Sequence, residues 1–313
     1  MSSVELPELD TAWLSAAFER QARSACPELL PDAMRLLDRL EPARWPLEWQ
    51  LPWWLGHELG LAPAVARELV LGNLLGLAAI RLRDDTADGE LEPAAVGAAG
   101  VLSDALYGAA LDVYRGLFAP DAPIWAEIER RMAEWRGSSG DSAGLASRGA
   151  PLKISAFAVC LLCGRIDGWP RLEACLDHAL SAMVMHDHLA DWPADLAAGR
   201  PNAFVAATSI GPQSVERRDQ QRTEVLAAMM ARDAVASHAR QVQAALDAAC
   251  QIATGLGLPT LADGLAGIAA RLDEHATQLD DHYRQLGDRA VTLVFGGTGK
   301  RGLESHVKEA SAT

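Results

Sequence analysis

Apolar residues recur at three- and four-residue steps through nearly every segment of this chain, Ala and Leu dominate, and β-branched residues are sparse. That spacing marks one face of a helix, and a chain patterned this way has few segments fit for a sheet. The expected fold class is therefore all-α. Candidate helices cover residues 10–24, 28–41, 62–88, 93–118, 122–136, 152–165, 170–191, 215–255 and 259–286, lengths that suit an antiparallel bundle. The chain has 313 residues, half of them hydrophobic, so one large core is expected. It is assigned to a single domain over 1–295, with a flexible tail over 296–313 that opens on Gly296-Gly-Thr-Gly-Lys-Arg-Gly. Gly137-Ser-Ser-Gly-Asp-Ser-Ala-Gly144 reads as a linker or an active-site loop, and Gly199-Arg-Pro-Asn and Gly211-Pro212 as a second break.

Charge narrows the function classes. Lys and Arg number 28 against 42 Asp and Glu, a net charge of −14 whose field repels polyanions and argues against nucleic acid as a partner. No run of 18 or more apolar residues lacks a charge or proline, so no transmembrane segment is expected. The first residues carry no basic stretch followed by an apolar run, and five scattered cysteines suit a reducing compartment, which points to the cytoplasm. Cys160-Leu-Leu-Cys163 has no second CxxC and sits in an apolar helical run, so it reads as buried thiols. Trp45, Trp49, Trp53 and Trp54 crowd one short stretch and read as core or interface packing.

Chemistry concentrates in two acidic clusters. The helix from about Pro63 ends Arg83-Asp84-Asp85-Thr86-Ala87-Asp88-Gly89, which places Asp84 and Asp88 on one face. Acids in a last turn oppose the macrodipole by about 0.3–1 kcal/mol each, so a cation is expected beside them. Arg81 and Arg83 are rival partners that would neutralise the cluster without a metal. A later helix ends Asp187-His-Leu-Ala-Asp191-Trp-Pro-Ala-Asp195, repeating acids at i, i+4 and i+8, although Pro193 should kink or restart it and so blurs the placement of Asp195. Both clusters could be solvated helix ends. Antiparallel packing would instead bring them to one rim around a cavity, where carboxylates without Cys or a His-x3-His pattern favour Mg²⁺ shared with a diphosphate. His186 and His188 flank Asp187 and read as packing or supporting residues.

The stretch from Leu71 to Gly89 and the stretch from Asp187 to Pro201 resemble the two aspartate-rich motifs of class I isoprenoid (terpenoid) synthases, the second also echoing squalene and phytoene synthases. The resemblance implies a helical bundle around a central apolar cavity. In that family carboxylate-held Mg²⁺, three ions with diphosphate bound, draws charge from the leaving group so that an allylic C–O bond ionises. Carried over by position, the metal residues are Asp84, Asp88, Asp187 and Asp191, with Asp195 ranked below them and Asp85 acting indirectly. Lys153 looks like the family's lysine on the helix before the second motif, with Arg148 as the competing cation; Tyr283-Arg284 lies where terpene cyclases carry an Arg-Tyr pair, in reversed order. Trp53, Trp54 and Trp192 are candidate pocket walls, with core packing the alternative for each. A homodimer is also implied.

The departures discriminate among subclasses. Chain-elongating synthases follow the first motif with paired arginines and carry an N-terminal Gly-Lys-x-Arg segment for a second diphosphate; here Glu90-Leu-Glu-Pro follows Asp88 and the Gly-Lys-Arg is at 299–301. The expected function is thus a Mg²⁺-dependent terpene synthase acting on one allylic prenyl diphosphate. A trans-prenyltransferase of the squalene, phytoene or polyprenyl type is the alternative, and a non-catalytic helical interaction protein the second alternative.

Overall fold

A computed structural model describes residues 9–40, 46–138, 144–208, 217–231 and 233–309, with side chains described to residue 286. The chain is all-α: among the described residues there are thirteen α-helices and no strand. They are α1 (Thr11–Ala25), α2 (Leu30–Arg39), α3 (Pro46–Glu58), α4 (Pro63–Ala87), α5 (Val96–Leu117), α6 (Ile124–Arg136), α7 (Leu145–Arg148), α8 (Leu152–Leu162), α9 (Trp169–Ala198), α10 (Ala203–Thr208), α11 (Arg218–Ala231), α12 (Ala234–Gly255) and α13 (Pro259–Glu309). The described residues group into two compact units. The first holds α1–α8 with residues 169–181, 245–255 and 259–268; the second holds residues 182–198, α10, α11, 234–244 and 269–309.

In the first unit α4 is the centre, packed on α1, α3, α5 and α8. Its apolar residues run round most of its circumference, and Leu69, Val70, Leu74, Leu75 and Ala78 are all buried, as an interior helix requires. Pro63 at its first turn has no N–H to leave unpaired. Glu58 at the end of α3 accepts from the backbone N–H groups of Thr260 and Leu261, capping the start of α13. The second unit has its own core, built from Leu189, Trp192 and Leu196 of α9, Phe204 and Val205 of α10, Val225 and Met229 of α11, Val235 of α12 and Ala276 of α13.

Four departures from the sequence expectation have physical causes. α3 has no counterpart among the expected helices, because Pro52 lies inside it and its apolar residues face all round rather than one side; Leu47, Trp49, Leu51, Trp54 and Leu55 are all buried. α9 continues through Pro193 to Ala198 instead of restarting there. Trp192 and Leu196 anchor the segment in the core, and that burial outweighs one missing backbone donor. The helix expected over 215–255 is divided at Asp233, whose φ of 44° is left-handed. α13 continues helically to Glu309, through most of the expected tail, where no proline stops it. Trp45, the 139–143 part of the glycine-rich connector and Gly211-Pro212 lie outside the described residues.

α4 and the segment Pro93–Leu117 are long and apolar enough, by length and composition, to cross a membrane, contrary to the expectation of no such segment. Burial of α4 inside the first unit accounts for its apolarity.

Candidate active site

The acids of the first motif extend a helical stripe. Gly72, Gly76, Ile80 and Asp84 follow one another at four-residue steps along α4, each step turning about 40° round the axis, so each member adjoins the next and Asp84 comes directly after Ile80. The upper part of that stripe, with Asn73 and Leu77, forms one wall of a cavity of about 30 Å³. Tyr107, Ala110 and Tyr114 of α5, Ile128 and Met132 of α6, and Pro151 and Ile154 close it. Burial pushes the Tyr114 phenol above its usual value, so it stays neutral. None of these wall residues stands out in the sequence, although the four-residue spacing leading into Asp84 is a readable signal.

The three first-motif acids occupy three environments. Asp85 points away from the stripe and is 1% exposed; its Oδ2 accepts from Arg39 Nη2 at 2.8 Å, and Arg81 Nε lies 2.9 Å from Oδ1. It is a structural acid joining α2 to α4. Asp84 is half-buried, and desolvation raises its pKa to about 6, with the charges of Asp88 and Asp85 adding to the rise and those of Arg81 and Arg148 opposing it. Asp88 is the exposed C-cap of α4. Gly89 follows at φ 69°, and the Glu90 N–H reaches back to the Asp85 carbonyl at 2.9 Å, which closes the helix. Arg83 turns to α5 instead, donating to Ser103 Oγ at 3.0 Å and Asp104 Oδ1 at 2.9 Å.

Among the described residues no group of three or more His, Cys, Asp or Glu is arranged to hold a metal by protein ligands alone. The donor chemistry of the first motif still fits a divalent cation shared with phosphate oxygens, which asks for only one or two carboxylates. Asp84 is a carboxylate whose charge is disfavoured by burial and by two neighbouring acids, the setting a cation relieves.

In the second unit Asp187 and Asp191 are exposed on α9, whereas Asp195 is buried. Asp195 Oδ1 accepts from Arg200 Nε at 2.9 Å and Oδ2 from Asn202 Nδ2 at 2.7 Å. Asn202 also donates to the His188 carbonyl at 2.9 Å, and His188 Nδ1 accepts from the Ala203 N–H at 3.0 Å. These bonds tie the end of α9 to the start of α10, so Asp195 and His188 act in folding the motif rather than in projecting from it. Gly199 ends α9 at φ 73° as Gly89 ends α4.

His186 is buried, and its Nε2 lies 2.8 Å from His275 Nδ1. Burial, then the positive charge that His275 and His238 would carry, lowers its pKa to about 4. The unfolded state therefore binds the proton first. His186 stabilisation is complete above about pH 6.5 and is lost as pH falls toward 4. We expect the thermal midpoint of the wild type to drop more steeply across that window than that of His186→Gln, measured by calorimetry; parallel curves would contradict this assignment.

The expected diphosphate cations are placed differently from one another. Lys153 is 1% exposed, with Nζ 3.3 Å from Glu134 Oε1 and paired also to Asp177. Glu134 in turn accepts from Arg131 Nη1 at 2.7 Å and from Ser147 Oγ at 3.3 Å. Lys153 is thus part of a buried ion network, a departure from the role implied by resemblance. Arg148, next to Ser147 on α7, is exposed, and its charge acts on Asp84. Arg284 spans Asp280 at 2.7 Å and Asp233 at 2.5 Å, and Tyr283 packs on the second unit's core.

Of the three tryptophans assigned to pocket walls, Trp54 and Trp192 are buried core residues and Trp53 is half-buried against the core. Trp54 packs against Gly264, where an added Cβ would lie 2.5 Å from its ring; Trp53 packs on the first unit's core and Trp192 lies in the second's. Cys160 is buried, which raises its thiol to about 12 and leaves it unreactive.

No family model matches the chain, and no curated protein sequence matches it. Among solved structures it resembles the geranylgeranyl pyrophosphate synthetase of the archaeon Geoglobus acetivorans, with a TM-score of 0.59 and 16% identity over 81% of this chain and 97% of that one. At that identity the likeness is one of fold, and the chain has an isoprenoid-synthase-like all-helical architecture.

Proposed function

We propose that the protein is a Mg²⁺-dependent terpene synthase that ionises a single allylic prenyl diphosphate and lets the resulting carbocation cyclise or lose a proton. The observation that carries this reading is the order of surfaces along α4: Gly72, Gly76 and Ile80 wall an apolar cavity, and Asp84 comes one four-residue step beyond Ile80, with Asp88 at the helix end. An amphiphile with a diphosphate head and an isoprenoid tail matches that sequence of surfaces. In this reading each aspartate-rich motif supplies Mg²⁺ ligands, Asp84 and Asp88 in the first and Asp187 and Asp191 in the second, and the metal would withdraw charge from the leaving diphosphate. Arg148 supplies a fixed positive charge to the same oxygens. The apolar wall keeps water from the cation. At about 30 Å³ the cavity is smaller than a prenyl chain needs, so the tail enters as Leu77 and the flexible Met132 turn aside.

The second reading is a trans-prenyltransferase, and the observation favouring it is the fold neighbour, a prenyl diphosphate synthetase by name. Against it, no paired arginines follow Asp88. Product analysis with a C10, C15 or C20 allylic diphosphate, with and without isopentenyl diphosphate, separates the two. Hydrocarbon or alcohol from the allylic substrate alone supports the synthase; diphosphate release only when the second substrate is present supports the transferase; release in neither supports a non-catalytic helical protein.

Gly76 gives an independent handle on the cavity. A Cβ there would meet only Ala110 Cβ, at 3.9 Å, so Gly76→Ala should fit and stabilise α4 by about 0.5–1 kcal/mol. Gly76→Phe should fold yet discriminate against longer allylic diphosphates, read as a rise in KM that grows with chain length. Equal KM values for C10 and C20 substrates in that variant would place the tail elsewhere.

A further inference from the structure

A second and larger cavity, about 310 Å³, opens on another side of α4. Its α4 wall is Leu82, one turn before Asp85 and on Asp85's face, not on the face of Gly76 and Asp84. Leu29, Leu36 and Leu102 complete an apolar floor, and Ala98 stands at the rim. The polar residues in its wall come from α2: Arg35 and Arg39, one helical turn apart, with Asp32 beside Arg35.

These guanidiniums are accessible. The Arg35 side chain is 69% exposed and its partner Asp32 is an i,i+3 surface pair, the kind that yields to a competing anion at little cost. Arg39 is 56% exposed and gives Nη2 to Asp85, while a guanidinium has five N–H donors in all. An apolar floor of ligand-pocket size beneath two exposed arginines has the form of a receptor for one amphiphile.

We propose that this cavity binds a single-chain aliphatic anion, its tail on the leucine floor and its carboxylate or phosphate on Arg35 and Arg39. The site is independent of the diphosphate reading, since it shares no residue with the Gly76–Asp84 stripe. Because Arg39 also neutralises Asp85, next to Asp84, an occupant is positioned to alter charge at the first motif.

Isothermal titration of the full chain with decanoate and with decyl phosphate, below their aggregation limits, tests this, the two probes separating carboxylate from phosphate heads. We expect saturable 1:1 binding of at least one, about tenfold weaker binding of decanol, and about fivefold weaker anion binding by Arg35→Gln. Ala98→Trp should fill the rim of the cavity from an exposed position and abolish binding, with its thermal midpoint near wild type. Gly76→Phe, which fills the other cavity, should bind the anion as the wild type does. Absence of binding, equal binding of decanol, or loss in Gly76→Phe with retention in Ala98→Trp would each overturn the proposal.

Discussion

Replacing Asp84 with Asn is expected to make the protein more stable at neutral pH and inactive. Asp84 titrates near 6 in the fold against an ordinary value of 3.8, because burial and the charges of Asp88 and Asp85 outweigh Arg81 and Arg148. Between those two values the native state holds more protons than the unfolded chain, so stability falls as pH rises, and above about pH 6 the full penalty persists. A rise of that size corresponds to about 3 kcal/mol, which partial exposure reduces to about 1–2 kcal/mol. Asp84→Asn removes that penalty, so its urea midpoint should exceed the wild type's at pH 7.5 and converge with it near pH 4. Under the proposed function the same change removes Mg²⁺-dependent turnover. A less stable Asp84→Asn at pH 7.5 would show that the carboxylate is satisfied by the protein and has no need of a cation.

Lys153→Met is expected to have the largest effect on folding. Removing the buried ammonium leaves Glu134 and Asp177 without their shared cation, a change that costs about 1–3 kcal/mol because both carboxylates keep some solvent and Glu134 keeps Arg131. Asp177→Asn added to Lys153→Met should recover part of the loss. If Lys153 were instead a solvent-facing diphosphate donor, Lys153→Met would keep its denaturation midpoint and lose only activity. The geometry favours the former: Glu134 accepts from Arg131, Lys153 and Ser147 together, so the network also fixes α7, which carries Arg148.

The helical class and the two acidic clusters were legible in the sequence because both rest on local spacing. The 3.6 period gives α4 to within one residue at each end and α5 and α6 to within three, and i, i+4 spacing aligns Asp84 with Asp88 whatever the rest of the chain does. What resisted reading depends on partners distant in sequence. Asp85 and Lys153 look like exposed charges until Arg39, 46 residues before Asp85, and Glu134, 19 before Lys153, are seen beside them. Trp54 looks like a pocket wall until Gly264 is found against its ring. α3 escaped because full burial erases the one-sided periodicity by which helices are recognised, and Pro193 misled because core packing of Trp192 and Leu196 overrides a local rule.

The most direct test of the central claim is diphosphate release from C10, C15, C20 and C25 allylic diphosphates, each supplied with Mg²⁺ or with chelator, by the wild type and by Asp84→Ala/Asp88→Ala. Circular dichroism of both proteins establishes that helicity is retained. Mg²⁺-dependent release by the wild type and none by the folded double variant is the predicted result. Undiminished release by that variant would contradict it.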